Sequence, residues 1–202
     1  MKLYYTAGAC SLAPHIVLQE IGSPFETVEV DLGTKRTKSG GDYKAINPKG
    51  AVPALQLDNG EVLTEGAAII QYLADKNPAT KLAPAAGTME RYRLQEWLNY
   101  IATEIHKGFG PLFNSNLKDD AKQVLKDALT ARFDFLVKNL EGKDYLLGSQ
   151  FTVADAYLFT ILGWTRHMNI DLGKWPVLKA YVERVAARPA VRTTLKAEGL
   201  DK

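Results

Sequence analysis

The chain of 202 residues has one cysteine and three histidines. A single thiol excludes an internal disulfide and any metal site built from several cysteines. His15, His106 and His167 share no HxxxH-type spacing, so no zinc site is read from them. No apolar run approaches the ~18 residues of a spanning helix, so no membrane partner is expected. The opening MKLYYTAGACSLAPH has an apolar stretch too short for a secretory signal. Its AGAC segment also has too few bulky residues before it for a lipoprotein cleavage box. An excess of one charge is missing too. Lys plus Arg is 25 against 23 for Asp plus Glu, a formal net charge of +2, which gives no electrostatic case for nucleic acid or an anionic surface. Internal repeats and low-complexity tracts are absent. The expectation is a soluble cytoplasmic protein in a reducing compartment.

What is present is a globular composition, with 46% hydrophobic and 24% charged residues, which argues against disorder. A chain of this length buries roughly 70% of its unfolded surface, so it needs no covalent staples. The first 80 residues mix two periods. KLYY (2–5) suits a strand. SLAPHIVLQEIG spaces Leu12, Ile16, Leu18 and Ile21 as a helix, with Pro14 tolerated in the first turn and Gly22 as the stop. FETVEV (25–30) alternates like a half-buried strand. Residues 33–50 read mostly as loop. AVPALQLDNGEVLT gives two strands around Asp58-Asn59-Gly60, a hairpin signal. EGAAIIQYLADKN reads as a helix. The order is β-α-β-loop-β-β-α. Residues 77–88 carry Pro78, Pro84 and Gly87 without periodicity and read as a linker. Beyond them the pattern is helical. Leu125, Leu129, Phe133, Leu136 and Leu140 share one face, Thr152-x-x-Asp155 resembles a capping box, and Pro176 and Pro189 suit a helix start and stop. An α/β front and an all-α back suggest two domains.

Three places carry chemistry. Cys10 follows a strand and precedes a helix, where free N–H groups and the helix dipole stabilise an anion; a thiol there is expected to have a lowered pKa. It serves as a thiolate or assists a bound one, unless it is a buried, inert hydrophobe. Ser11 beside it either donates to the same anion or caps the helix; Tyr4 and Tyr5 read as packing. Val52-Pro53 leads into a strand. On residue statistics the bond is trans; if cis, it presents the Val52 backbone to an extended peptide. At Thr64-Glu65-Gly66 a helix begins, offering N–H donors to a carboxylate, with Glu65 able to pair with an ammonium, or merely to complement the dipole. Lys35 and Lys49 in flanking loops can meet a second carboxylate, or are simply solvated. Further on, a helix over 89–108 has Leu94, Trp97, Leu98, Ile101 and Ile105 on one arc. Glu96, Asn99, Thr103, His106 and Lys107 fall on the opposite side. That stripe suits recognition of polar groups, or is the outer face of a surface helix. His106 titrates near neutrality and suits a base or donor.

YTAGACSLAPH, NPKGAVPAL, LTEGAAIIQYLAD and TVADAYLF, in this order along essentially the whole chain, resemble a cytosolic glutathione transferase. The cysteine in ACSLAPH with the NYIATEIHK helix resembles the bacterial beta class. The resemblance implies a thioredoxin-like N-terminal domain (βαβαββα) over 1–79, a linker over 80–87 and an α-helical domain over 88–202. It also implies a homodimer, detoxification as the role, a cis Val52-Pro53 bond, and no cofactor beyond glutathione as co-substrate. By the same resemblance Cys10 sits beside the glutathione sulfur and can form a mixed disulfide with it. Val52, with Pro53, pairs with the cysteinyl part, Glu65 and Gly66 hold the γ-glutamyl head, and Lys35 lies near the glycyl carboxylate. Asn99, Thr103 and Glu104 complete the site, the partner subunit being an open source for some of them, and His106 and Lys107 line the region of the thiol. Cys10, His106 and Ser11 are the candidate catalytic residues. Phe109, Phe113 and Trp164 are candidate walls of an apolar acceptor pocket between the domains, or helix core. The family usually has Glu-Ser where this chain has Glu65-Gly66. Losing that hydroxyl is expected to weaken glutathione binding by about 1.5–3 kcal/mol. The implied reaction is conjugation of the glutathione thiolate to an electrophilic, mostly apolar small molecule. Two alternatives stand beside it: glutathione-dependent disulfide exchange or peroxide reduction through Cys10, and a non-catalytic ligand-binding or regulatory module.

Overall fold

A computed structural model describes residues 1–201. Its contacts divide the chain into two compact units. One is Met1–Ala83 together with the chain from Ala187 onward; the other is Pro84–Ala186. The division differs at the C-terminal end from the partition expected from sequence. The helical half ends at Ala186, because the last helix packs on α1 of the first unit.

In the first unit the elements are β1 (Lys2–Tyr5), α1 (Leu12–Ile21), β2 (Glu26–Asp31), β3 (Arg36–Thr37), β4 (Ala54–Gln56), β5 (Val62–Thr64) and α2 (Gly66–Lys76). The sheet order is β3-β2-β1-β4-β5; β1 and β2 run parallel and the other pairs antiparallel. This is the expected thioredoxin-like arrangement, except that the helix between the second and third main strands is a single 3-10 turn, Tyr43–Ala45, preceded by the two-residue β3. The segment carries Gly33, Gly40, Gly41 and Pro48, which disfavour a longer helix. The Asp58-Asn59-Gly60 turn joins β4 to β5 as its residues indicate. Alternation along β1 sends Leu3 into the layer formed with α1 and α2, where Leu55, Ile16, Ile69, Ile70 and Leu73 are also fully buried. Tyr4 goes to the other face, against Val30, Tyr43, Val52 and Ala54.

The second unit contains α3 (Met89–Tyr100), a π-helical turn (Ile101–His106), α4 (Lys107–Phe109), α5 (Asp119–Leu140), α6 (Val153–Leu162) and α7 (Pro176–Ala186). Every residue of α6 is buried. Asp155 fixes its start. One carboxylate oxygen accepts from the amide and hydroxyl of Thr152, the other from the amide of Leu146 and the hydroxyl of Tyr181. These bonds favour the carboxylate, yet complete burial still raises the Asp155 pKa. On α5, Leu129, Phe133, Leu136 and Leu140 of the face read from the sequence are buried, and Leu125 is half-buried. Gly108 is a point of close approach, since a Cβ there would lie 2.9 Å from the Leu129 side chain. The last helix, α8 (Pro189–Ala197), belongs to the first unit.

Candidate active site

The loop from Thr6 to Ser11 carries the thiol. Its fold is set by side chains that turn inward. Ser11 Oγ accepts from the Thr6 amide and donates to the Thr6 carbonyl, both at 3.1 Å, and the residue is wholly buried. The Thr6 hydroxyl donates to the Val30 carbonyl at 2.6 Å. Gly8 sits at φ +70°, a left-handed conformation that disfavours a side chain. The Ser11 side chain makes no cap of α1. Its hydroxyl closes the loop on Thr6.

Cys10 Sγ donates to the Val52 carbonyl at 3.2 Å. Cys10 as a residue keeps intermediate exposure, but desolvation around the sulfur pushes the thiol up from an ordinary value near 9 to about 11. The backbone amides of Cys10 and Ser11 pull the other way without offsetting it, and the Glu65 charge adds to the rise. The expected lowering is thus reversed. Helix α1 begins at Leu12, so Cys10 stands outside the first turn, and the loss of water outweighs the donors that remain.

The Val52-Pro53 bond is cis, as the family resemblance implies and against the statistics of the residue pair alone. The segment before it is pinned at Ala51, whose carbonyl accepts from the Tyr43 hydroxyl at 2.8 Å and from Asn47 Nδ2 at 2.7 Å. Asn47 and Tyr43 are buried and were not singled out from the sequence. The Asn-Pro-Lys-Gly turn was the available signal, with Asn47 Oδ1 accepting from the Lys49 amide.

At the third place, Glu65 precedes α2 with φ 71° and ψ 112°. Gly66 and Ala67 open the helix and have no intrahelical carbonyl to donate to. Glu65 is exposed and forms an ion pair with Lys49, whose Nζ also donates to Thr64 Oγ1 at 2.9 Å. Lys49 is thus the loop lysine already engaged, while Lys35 is half-buried with φ +57°. A Cβ built on Gly66 would lie 3.7 Å from Pro53 Cγ, an ordinary contact. Pro53 thus lies near the helix start, and Val52 before it accepts from the thiol.

In the second unit the polar stripe is only partly as projected. Asn99, Thr103 and Lys107 are exposed. Thr103 Oγ1 donates back to the Asn99 carbonyl at 3.0 Å. Glu104 pairs with Arg132 at 3.2 Å. His106 departs from the stripe: its Nδ1 lies 2.7 Å from the Tyr157 hydroxyl and its ring centroid 5.0 Å from that of Trp164. His106 closes the π-helical turn and keeps intermediate exposure. Of the candidate pocket walls, Phe109 is wholly buried against Phe133 and Trp164 and is core. Trp164 is only 8% exposed, whereas Phe113 is 52% exposed beside it. The full burial of Phe109 fits its helix-core alternative.

Two family models match the chain: the N-terminal domain of glutathione S-transferase over residues 7–76, and the C-terminal domain of the same family over 100–189. Glutathione S-transferase GstA of Escherichia coli O157:H7 is 48% identical over 200 residues, covering 99% of this chain and 100% of the relative. Two solved structures align over 99% of this chain and 100% of their own. One is a sphingomonad glutathione S-transferase complexed with glutathione, at a TM-score of 0.95 and 49% identity. The other is the bacterial beta class enzyme of Sphingomonas chungbukensis, at 0.95 and 50%. The chain belongs to the glutathione transferase family and is a transferase enzyme. Within the family it is of the bacterial beta class. No helix among the described residues is long and apolar enough to cross a membrane.

Proposed function

We propose that the first unit binds reduced glutathione in extended form, from Glu65 and Gly66 at one end to Cys10 at the other, and that Cys10 acts there as a thiol donor to the glutathione sulfur. The observation that carries this reading is the Cys10 thiol held on the Val52 carbonyl beside the cis Val52-Pro53 bond, with the open α2 start near Pro53. In it, Glu65 takes the ligand ammonium in competition with Lys49. The Gly66 and Ala67 amides take the adjacent carboxylate. The Val52 backbone pairs with the cysteinyl residue, and Lys35 serves the glycyl carboxylate. A thiol pushed up by burial stays protonated at neutral pH. It therefore offers a hydrogen to an anionic sulfur, which stabilises the nucleophile of the conjugation reaction.

The acceptor is an electrophilic, mostly apolar small molecule. Asn99, Thr103 and Lys107, exposed on the second unit, and Glu104 and His106 beside them are assigned to the ligand by family resemblance. The same resemblance supports a homodimer, a cytoplasmic setting and glutathione as the sole non-protein requirement. Disulfide exchange or peroxide reduction through Cys10 is the second reading. A protonated resting thiol weighs against it, because the thiolate is the attacking species. The family assignment favours neither it nor the non-catalytic reading. The test is calorimetric titration with reduced glutathione, then rates with haloaromatic, epoxide, disulfide and peroxide substrates. Binding with turnover of the first two classes supports conjugation; heatless titration rejects the reading.

A further inference from the structure

Glu198 is a carboxylate with no exposed side-chain surface. It stands at the C-terminal end of α8 and reaches the thiol-bearing loop, 190 residues away in sequence. Its Oε2 accepts from the Gly8 amide at 2.9 Å, and its Oε1 lies 2.7 Å from Nδ1 of His15. A carboxylate only accepts, which places a hydrogen on that ring nitrogen. The two contacts fall on either side of Cys10, one in the loop and one in the first turns of α1. The His15 ring is held edge-on to Tyr5 and Phe25, at centroid distances of 5.7 and 5.6 Å, so it presents a fixed donor. Leu200, just beyond, covers Gly8.

Docking α8 on α1 does not require this arrangement. Arg188 already ties the two helices through a bidentate pair with Glu20, at 2.6 and 2.9 Å. A buried carboxylate costs several kcal/mol unless its partners are well placed. Here one partner is a backbone amide of the loop that aims the thiol.

We propose that Glu198 is a positioning residue for Cys10. By bridging the Gly8 amide and His15 it holds the loop so that Sγ stays against the Val52 carbonyl, at the thiol end of the glutathione site. Glu198 touches no substrate and acts through the loop. The inference rests on the reading of Cys10 given above, and the experiment separates the two.

The first readout needs no glutathione: the rate of Cys10 alkylation by iodoacetamide, the chain having no other cysteine. Glu198→Ala frees the loop, and alkylation is expected to rise about tenfold, while kcat for conjugation falls about tenfold and KM for glutathione stays within about twofold. Arg188→Ala, which loosens the same helix pair without touching the loop, is expected to move each quantity by less than about twofold. Combined with Cys10→Ala, Glu198→Ala is expected to lose its effect on kcat, because its action passes through that thiol. Should Glu198→Ala fail to fold by near-ultraviolet circular dichroism, Glu198→Asp replaces it, keeping the charge but too short to span both donors. Unchanged alkylation in the folded variant, or an equal change in Arg188→Ala, overturns the proposal. So does a kcat loss that persists without Cys10. Altered alkylation with unaltered kcat instead removes Cys10 from the reaction, and the positioning role with it.

Discussion

The first unit contains two strand-to-helix turns built alike and working differently. At β1–α1 the polar groups are spent internally: Ser11 on Thr6, the Gly8 amide on Glu198, the Cys10 thiol on Val52. At β5–α2 the turn is open, Glu65 is 70% exposed on its side chain, and the first helical amides face no intrahelical acceptor. The contrast shows that a helix start is not by itself an anion site. Burial at the first turn overrides the dipole and keeps a thiol protonated, whereas exposure at the second leaves donors available.

The largest test of this contrast is Cys10→Ala. If the first turn supplies a donor rather than a nucleophile, conjugation persists at a reduced rate, while any disulfide reductase activity disappears; steady-state rates with both substrate classes decide. Glu65→Gln comes next. It removes the charge at the open turn and is expected to weaken glutathione binding roughly ten- to hundredfold by calorimetry, the worth of a charge-assisted hydrogen bond. Third is the pH dependence of the thiol. Alkylation of the ligand-free protein should titrate with a midpoint near the value of about 11, not near 9. The folded state prefers the protonated thiol, so its contribution to stability is complete below about 9 and is lost as the pH climbs toward about 11. Denaturation midpoints of wild type and Cys10→Ser should therefore converge across that window. The smallest effect is expected from Gly66→Ser. The space beside Pro53 admits the side chain, and the added hydroxyl should tighten glutathione binding by about tenfold, the low end of the ~1.5–3 kcal/mol of the missing bond, because water replaces part of it. Unchanged or weaker affinity would show that the amides alone already saturate that corner.

Much of this was legible locally. The helix stop at Gly22, the Asp58-Asn59-Gly60 hairpin, the Thr152–Asp155 start of α6 and the buried face of α5 each arise from residues within a few positions of one another. Cys10 and Glu65 were marked as candidates by the same local reading. What escaped depends on distant partners or on desolvation. No local pattern joins Glu198 to Gly8, or Arg188 to Glu20, and the departure of the last helix from the helical half comes from those contacts. The thiol pKa was misjudged because the helix dipole is visible in a sequence and the exclusion of water is not.

The return of the chain from Ala187 to the first unit also bears on biosynthesis. Folding on the ribosome generally proceeds from the amino end, domain by domain. Here the unit that starts first is completed only when the segment from Ala187 has been added, since Glu198 of that segment accepts from the Gly8 amide.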